Sequence, residues 1–554
     1  MARNCATGSD GQGPTEAMVI SQTAGPRLKR GSMVKLTIRL SLIALAASAI
    51  LVGCASLPKD FERPISHALT DTRATPLGKA SQALTAQHIG ESGLLLLSNG
   101  IDAFAARILL AESAQRSIDA QYYLLHDDMT GQIFTNALVR ASRRGVRVRL
   151  LVDDLDLFGR DAEAAALSAL PNFEVRLFHP FGRNIGKMAQ FITRFGDVTR
   201  RMHNKSFIAD NQFAILGGRN IGDQYFNAGS DVAFYDLDVL CVGDVVKEVS
   251  VSFDAYWNSD LAYPAEVLLK DMPTPQEATE RADRLEAVVN SEERHQAYLA
   301  KVRNAKILRV DTPADLPFEW GQATAVYDRP EKLSNERERR DLHLISRLGP
   351  NFEALSKELF LVSPYFVPGR SGVKYLKSLT QKGVKVRILT NSLESNDVPI
   401  VHAGYSRYRL ALLKAGVELY ELKPSLKERE KRSSQKLFGS SSASLHSKTF
   451  VLDRETVFIG SMNLDPRSSI ENTEIGVVFH SSAMAGTIVD GVELQLAEHA
   501  YKVTLVTDKS GHERLRWSTI ENGKEIIYSS EPNASFWKRF GTGFLSLLPI
   551  ESQL

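Results

Sequence analysis

Hydrophobic positions recur along this chain with two alternating periods. From Gly131 to Arg144 the apolar residues Ile133, Phe134, Ala137, Leu138 and Ala141 fall on one helical face, and Arg143-Arg144-Gly145 leads into Val146–Asp153, where apolar positions are spaced as in a strand. The same succession returns from Ser371 to Lys382, through Gln381-Lys382-Gly383, into Val384–Asn391. Each reads helix, glycine stop, strand. A β-rich run precedes each helix: Ser117–Leu125, containing Tyr122-Tyr123, and Leu359–Val367, containing Tyr365-Phe366. The two stop glycines lie 238 residues apart, far beyond the roughly 20 to 50 residue periods of solenoids, so the pattern is a domain duplication. Strands alternating with helices predict an α/β protein of two tandem halves, each a mixed sheet flanked by helices, packed face to face as a pseudo-twofold pair.

The duplication predicts one repeat over 101–270 and a second over 326–510. Between them, in a connector over 271–325, Pro273–Asn304 is rich in Glu, Arg and Ala and predicts a solvated helix. Residues 55–100 read as a linker and 511–554 as a membrane-proximal tail. Leu426–Ser444 joins a charge run, Lys427–Arg432, to a Ser/Gly cluster, the composition of a mobile loop placed to act as a lid. Near the N-terminus, Lys35 and Arg39 precede an apolar stretch, Leu40–Val52, that is too short to span a bilayer comfortably and ends in Leu51-Val52-Gly53-Cys54. Residues 33–54 therefore predict a signal peptide with a lipobox, with Cys54 carrying the lipid; an uncleaved anchor is the alternative. Either holds the chain at a membrane. Residues 1–32 are an aperiodic extension outside the fold.

Composition changes this picture little. Of 554 residues, 24% are charged and 43% hydrophobic, near the globular average, and a formal net charge of +2 gives no global case for nucleic-acid binding. Cys5, Cys54 and Cys241 have no metal-ligand spacing, so neither a metal nor another cofactor is expected.

The chemistry sits in a repeated word. His203-Asn204-Lys205 is followed by Asp210 and Gly217-Gly218-Arg219-Asn220; His446-Ser447-Lys448 is followed by Asp453 and Gly460-Ser461-Met462-Asn463. Asn follows His by 17 residues in both copies, and strand geometry puts His and Lys on one face. Cationic groups projecting together from an apolar strand suit an anion, phosphate above all, with Lys205 and Lys448 supplying charge and Asn220 and Asn463 amide donors. Of two imidazoles, a neutral one is nucleophilic and a charged one is an acid, both states being reachable near neutral pH. Each also needs a carboxylate to fix its tautomer; Asp238 and Glu474, both in apolar strands, are the expected pair. Asp210 and Asp453 each precede a break before the next strand, at Asp210-Asn211 and Asp453-Arg454, and are expected to stabilise turns.

These motifs resemble the HKD signature of the phospholipase D superfamily, over essentially all of the chain from Ile101. The resemblance implies two phospholipase D-like domains whose motifs meet at their interface, with one histidine forming a phosphohistidine and the other protonating the leaving alcohol. It suggests His203 as nucleophile and His446 as general acid, the reverse being chemically open. Asp119-Ala120-Gln121-Tyr122-Tyr123, Arg201–Ser206, Gly217–Gly222, Val401–Tyr405 and Asp465-Pro466-Arg467-Ser468 are similar to the bacterial cardiolipin synthase C group. That implies transfer of a phosphatidyl group to phosphatidylglycerol, with phosphatidylethanolamine as donor. A hydrolase releasing phosphatidic acid, and an HKD nuclease, are the rival readings. Tyr122, Tyr123, Tyr365 and Phe366 are expected to line an acyl-glycerol groove, and His402 and Tyr405 to contact a headgroup. Basic amphipathic stretches at Phe181–Phe195 and Phe536–Leu548 suit a membrane surface. With Cys54 they place the chain in the bacterial envelope, facing the periplasm; Ala55 after the cysteine resembles outer-membrane sorting. No nucleic-acid partner is expected.

Overall fold

The computed structural model describes residues 57–534, except 59, 184–185, 194–195, 197, 229–232, 270–271, 310–314 and 425–442, together with Lys538. The signal segment with Cys54, most of the 426–444 loop and the Phe536–Leu548 stretch apart from Lys538 lie outside the described residues.

The first sheet contains β1 (Ser92–Leu97), β2 (Ser117–Tyr122), β3 (Arg147–Asp153), β4 (Phe173–Phe178), β5 (Ser206–Ala209) and β6 (Phe213–Gly217). After β7 (Ala233–Tyr235), which lies apart, it gains β8 (Asp238–Gly243), β9 (Ala262–Pro264) and β10 (Glu319–Gly321), in the order β10-β1-β8-β6-β5-β2-β3-β4-β9. The second contains β11 (Ala323–Tyr327), β12 (Glu358–Val362), β13 (Lys385–Asn391) and β14 (Glu418–Leu422), then, beyond the separate β15 (Ala443–Leu445), β16 (Thr449–Leu452), β17 (Thr456–Gly460) and β18 (Ile475–His480). It ends with β19 (Ala500–Thr507), β20 (Glu513–Glu521) and β21 (Lys524–Tyr528), and runs β11-β18-β17-β16-β12-β13-β14-β19-β20-β21.

The sheets superpose in topology from β1/β11 to β9/β19. In each, only the three strands β2-β3-β4 or β12-β13-β14 run parallel; their other neighbours are antiparallel. The predicted stop glycines end helices Met129–Arg143 and Gly369–Gln381 in the left-handed region, with φ of 89° at Gly145 and 86° at Gly383, where a side chain is disfavoured.

Strand alternation divides the core into three. Ile118, Ala120 and Tyr122 of β2 face an outer layer built on helices Gly100–Ser113 and Met129–Arg143. Leu359 and Leu361 of β12 face the equivalent outer layer of the second half. Between the sheets, Leu151, Ile208 and Leu216 pack with Phe360, Val451 and Ile459 in a shared layer, which helices Asp244–Trp257 and Ser482–His499 help fill. The halves thus share an apolar layer, and the site lies where it opens at the ends of the motif segments.

Several expected boundaries move. Residues 55–100 are not a linker: Ser66 and Ala68 are bonded to Asn258 and Asp254, and β1 is an inner strand. Residues 513–528 are not tail but the β20-β21 hairpin, which continues the second sheet because Val503 and Trp517 extend its outer core. The connector is two helices, Pro275–Ser291 and Glu293–Arg303, and it is only partly solvated: Ala278, Ala282, Val289 and Tyr298 are buried against the first half. Within 181–195, Phe181 is buried against Phe158, and Arg183 is paired with Asp154 and Asp161, so this end of the stretch is anchored in the fold; Met188 alone of its described apolar residues stands well out. Among the described residues no helix is long and apolar enough to cross a membrane.

Candidate active site

The motif histidines lie just ahead of their strands, not on them: β5 begins at Ser206 and β16 at Thr449. Each extended entry segment is clamped by the opposite half. His203 N–H donates to Thr473 O (2.8 Å), and Thr473 N–H to Arg201 O (3.0 Å). On the other side β15 pairs in parallel with β7, and His446 N–H donates to Tyr235 O (2.8 Å). The residue after each clamp is acidic and meets the ring. His203 Nδ1 lies 2.8 Å from Glu474 Oε2, and His446 Nδ1 lies 2.6 Å from Asp236 Oδ2. An Nδ1–H donating to a carboxylate leaves the lone pair of the neutral ring on Nε2, the nitrogen suited to attack.

The orienting residue of His446 is therefore Asp236 and not Asp238, as the sequence suggested. Asp238 is the first residue of β8, and its carboxylate is taken by Arg107 Nη2 (2.9 Å), with Arg219 Nη1 at 3.4 Å. The sheet register explains the slip. Gly217 pairs with Asp238 and Gly460 with Gly476, so Asp238 corresponds to Gly476 and Asp236 to Glu474. That is the spacing of the stop glycines, 238, which already pointed to Asp236. Gly218 is glycine because a Cβ there would stand 2.2 Å from Asp236 Oδ1; its counterpart Ser461 instead donates its hydroxyl to Glu474 Oε2 (2.5 Å).

Aromatic rings wall both imidazoles: Tyr123 is edge-on to His203 (4.9 Å between centroids) and Tyr225 edge-on to His446 (5.3 Å). Lys205 Nζ donates to His203 O (2.6 Å) and stands over Tyr123; Lys448 Nζ donates to His446 O and lies 3.0 Å from its Nδ1. Burial, followed by the charges of Lys205, Lys448 and Arg467, pulls His203 well below its ordinary pKa. Burial and Lys448 pull His446 down to about 4. Burial also lowers Lys448 to about 8 and Lys205 well below its usual value. The carboxylates diverge: burial pushes Glu474 up to about 7, whereas His446, Lys448 and Arg219 overcome burial and hold Asp236 below the carboxylate range. A pocket whose bases repel one another's protons is short of negative charge, which a phosphate supplies.

The two asparagines differ. Asn220 is spent on the protein, donating to Tyr225 Oη (2.9 Å) and accepting from Leu124 N–H (3.2 Å), while Asn463 Oδ1 is buried without a partner. Asp210 accepts from the N–H groups of Gln115, Arg116 and Ser117, and Asp453 from those of Ser356, Lys357 and Glu358, each at a left-handed turn remote from the rings.

Of the expected groove, Tyr123 is at the site and Tyr122 is not. Adjacent strand residues face opposite ways, and Tyr122 enters the outer core, where Arg107 donates to its hydroxyl. Tyr365 and Phe366 do not divide in this way: Phe366 lies in the outer core of the second half, and the half-buried Tyr365 packs against that core while donating to Asp397 (2.9 Å). His402 and Tyr405 do not face a headgroup. Both are buried in an ionic network in which His402 Nε2 meets Arg409 (2.7 Å) and Tyr405 donates to Glu421 (3.0 Å). Asp236 and Tyr225 escaped the sequence reading as site residues, and Ser461 and Arg467 stood in its quoted motif words without a role; the 238-residue spacing was the signal for Asp236. Among the described residues no group of three or more His, Cys, Asp or Glu side chains is arranged to hold a metal ion.

Residues 108–257 and 352–493 match the family described as "Cardiolipin synthase, PLD-like domain". The chain is 42% identical to cardiolipin synthase C of Escherichia coli K12 over 86% of its own length and 99% of that protein. It is 25% identical to a cardiolipin synthase of Staphylococcus aureus Mu50, over 71% of this chain and 65% of that one. A solved structure, phosphatidylserine synthase of Haemophilus influenzae Rd KW20, is similar with a TM-score of 0.49 and 14% identity over 77% of this chain and 91% of that one.

Proposed function

The chain belongs to the cardiolipin synthase family of phospholipase D-like proteins, and we propose that it is a phosphatidyltransferase making cardiolipin from phosphatidylglycerol and a second phospholipid, phosphatidylethanolamine. The observation that carries this reading is that two imidazoles, each seated on a carboxylate of the opposite half, each feel the lysine of the other motif in one cationic site.

His203 Nε2 attacks the donor phosphorus as the bond to the headgroup oxygen breaks, and the His446 imidazolium gives that oxygen its proton. Lys205 and Lys448 meet the charge that builds on the phosphoryl oxygens. In the second step the now neutral His446 takes the proton of a glycerol hydroxyl of phosphatidylglycerol, whose oxygen displaces His203 from phosphorus. The divergence of the carboxylates supports this division of roles: a firm anion at Asp236 favours an imidazolium on His446, and a weaker one at Glu474 favours a neutral ring on His203. Burial and then Lys448 hold His446 low in the free site, and the negative charge of a substrate phosphate opposes that lowering.

Incubating the purified protein with vesicles of phosphatidylglycerol and phosphatidylethanolamine tests the reading. Cardiolipin and free ethanolamine are expected; phosphatidic acid without cardiolipin overturns transfer in favour of hydrolysis. Placement at the membrane through a lipid on Cys54, in the periplasm-facing envelope, belongs to the same proposal. It predicts palmitate labelling that Cys54→Ser abolishes.

A further inference from the structure

Lys448 feels the carboxylates of Asp236, Glu474, Asp397 and Asp465, which oppose the effect of burial on its charge. Asp236 and Glu474 are buried and orient the imidazoles, and Asp465 is buried and accepts from Ser468 N–H (2.7 Å). Asp397 differs from them: it is exposed, and among the described residues no lysine or arginine pairs with it. Its charge is felt at Lys448 and at the hydroxyl of Tyr225, the ring edge-on to His446, so it stands on the His446 side of the site.

The backbone holds this acid in place. Asn391, the last residue of β13, donates from Nδ2 to Leu445 O (3.0 Å) and accepts from Leu445 N–H (2.9 Å), so the loop that follows is stitched to the residue before His446. Within the loop Asn396 N–H donates to Ser392 O, Ser395 Oγ to Leu422 O and Val398 N–H to Asn396 Oδ1. Tyr365 Oη then donates to both oxygens of Asp397, at 3.0 and 2.9 Å. Tyr365 is itself tied to the second motif through Ser363, whose hydroxyl donates to Tyr365 O and accepts from the N–H of Leu464, next to Asn463. A carboxylate beside a phosphate site repels the anion that the lysines attract, so a site built for phosphate alone gains nothing from it. An exposed acid pinned by a neutral hydroxyl, with no cation of the protein's own, suits a cation brought by the ligand.

We propose that Asp397, pinned by Tyr365, receives the ammonium of a zwitterionic phospholipid headgroup whose phosphate sits on Lys205 and Lys448. The proposal rests on the phosphatidyl-transfer reading and deepens it by naming the residue that selects the donor. The headgroup oxygen leaves toward His446, so the ammonium beyond it projects on the side of Tyr225, where Asp397 stands. A headgroup of glycerol offers no charge to Asp397, and the two donors are told apart there.

Release of free headgroup from phosphatidylethanolamine and from phosphatidylglycerol, each as sole donor, gives the test. The ratio of kcat/KM for the first over the second is expected to fall about tenfold in Asp397→Asn, to recover in Asp397→Glu, and to fall less in Tyr365→Phe, which keeps the acid but unpins it. A loss equal for both donors, as follows if Asp397 only helps keep Lys448 charged, overturns the proposal. Binding of soluble dihexanoyl phosphatidylethanolamine and phosphatidylglycerol to His203→Ala protein reads the same contact without turnover. There the affinity ratio is expected to fall about tenfold on adding Asp397→Asn, and an unchanged ratio overturns the proposal even if the turnover assay gives no signal. Headgroup release is counted whether the phosphatidyl group passes to lipid or to water. An enzyme that yields phosphatidic acid and no cardiolipin therefore refutes transfer, while the donor ratio still decides the role of Asp397.

Discussion

The two halves carry the same motif and hold it differently. Around His203 the orienting acid is the longer Glu474, braced by the Ser461 hydroxyl and raised by burial to about 7. Around His446 it is the shorter Asp236, reaching past Gly218 and kept firmly ionised. Asn220 is consumed by Tyr225 and Leu124, while Asn463 keeps an unpaired oxygen. The duplicated site is thus asymmetric, and the difference lies in the residues that touch the histidines rather than in the histidines themselves.

The sharpest way to break this comparison is to remove each ring. Both His203→Ala and His446→Ala are expected to lower cardiolipin formation by about 10⁴-fold or more, but rapid quenching separates them: only protein retaining His203 forms a phosphohistidine. A phosphoryl group trapped on His446 instead reverses the direction assigned here. Neutralising the acids comes next. Asp236→Asn is expected to lower kcat by about 10³-fold, and Glu474→Gln by about 10²-fold, the loss being larger where a full imidazolium is to be stabilised. Equal losses from the two variants would remove the asymmetry.

pH gives a milder test. Lys448 is charged below about 8, so kcat/KM is expected to fall as pH rises through that value and to be restored on lowering it. Lys448→Arg, which stays charged, is expected to abolish this alkaline limb in a pH–rate profile. Asp238→Asn checks the corrected assignment. It leaves Arg107 buried without its anion and is expected to cost about 3 kcal/mol in denaturant unfolding, with kcat within threefold of the parent. Smallest of all, Tyr405→Phe is expected to lose about 1 kcal/mol of stability through its bond to Glu421, with KM for both lipids unchanged.

Much of this was legible before any coordinates. The stop glycines, the duplicated strands and both His/Lys words follow from local periodicity and spacing, and the fold places them in equivalent positions. What escaped is set by pairing between distant segments. Asp236 and Asp238 are alike as acids beside an apolar run; the 238-residue spacing of the stop glycines was the one sequence signal between them, and the pairing of Gly217 with Asp238 shows which one is already inside the sheet. Tyr122 and Tyr123 are neighbours of the same type, and the strand's pleat alone sends one to the outer core and the other to His203. His402 and Tyr405 stood in a word similar to the cardiolipin synthase C group and were expected at a headgroup, but Arg409 and Glu421 make them part of the interior.

The crossed seating of the rings also bears on how such a protein can evolve. A symmetric homodimer of single-motif chains would build the same crossed pairs, but one gene would then write both sides, and any change made for attack would be imposed on proton donation as well. Joining the copies in one chain frees each side to drift alone, and Gly218 against Ser461, with Asp236 against Glu474, is the record of that freedom.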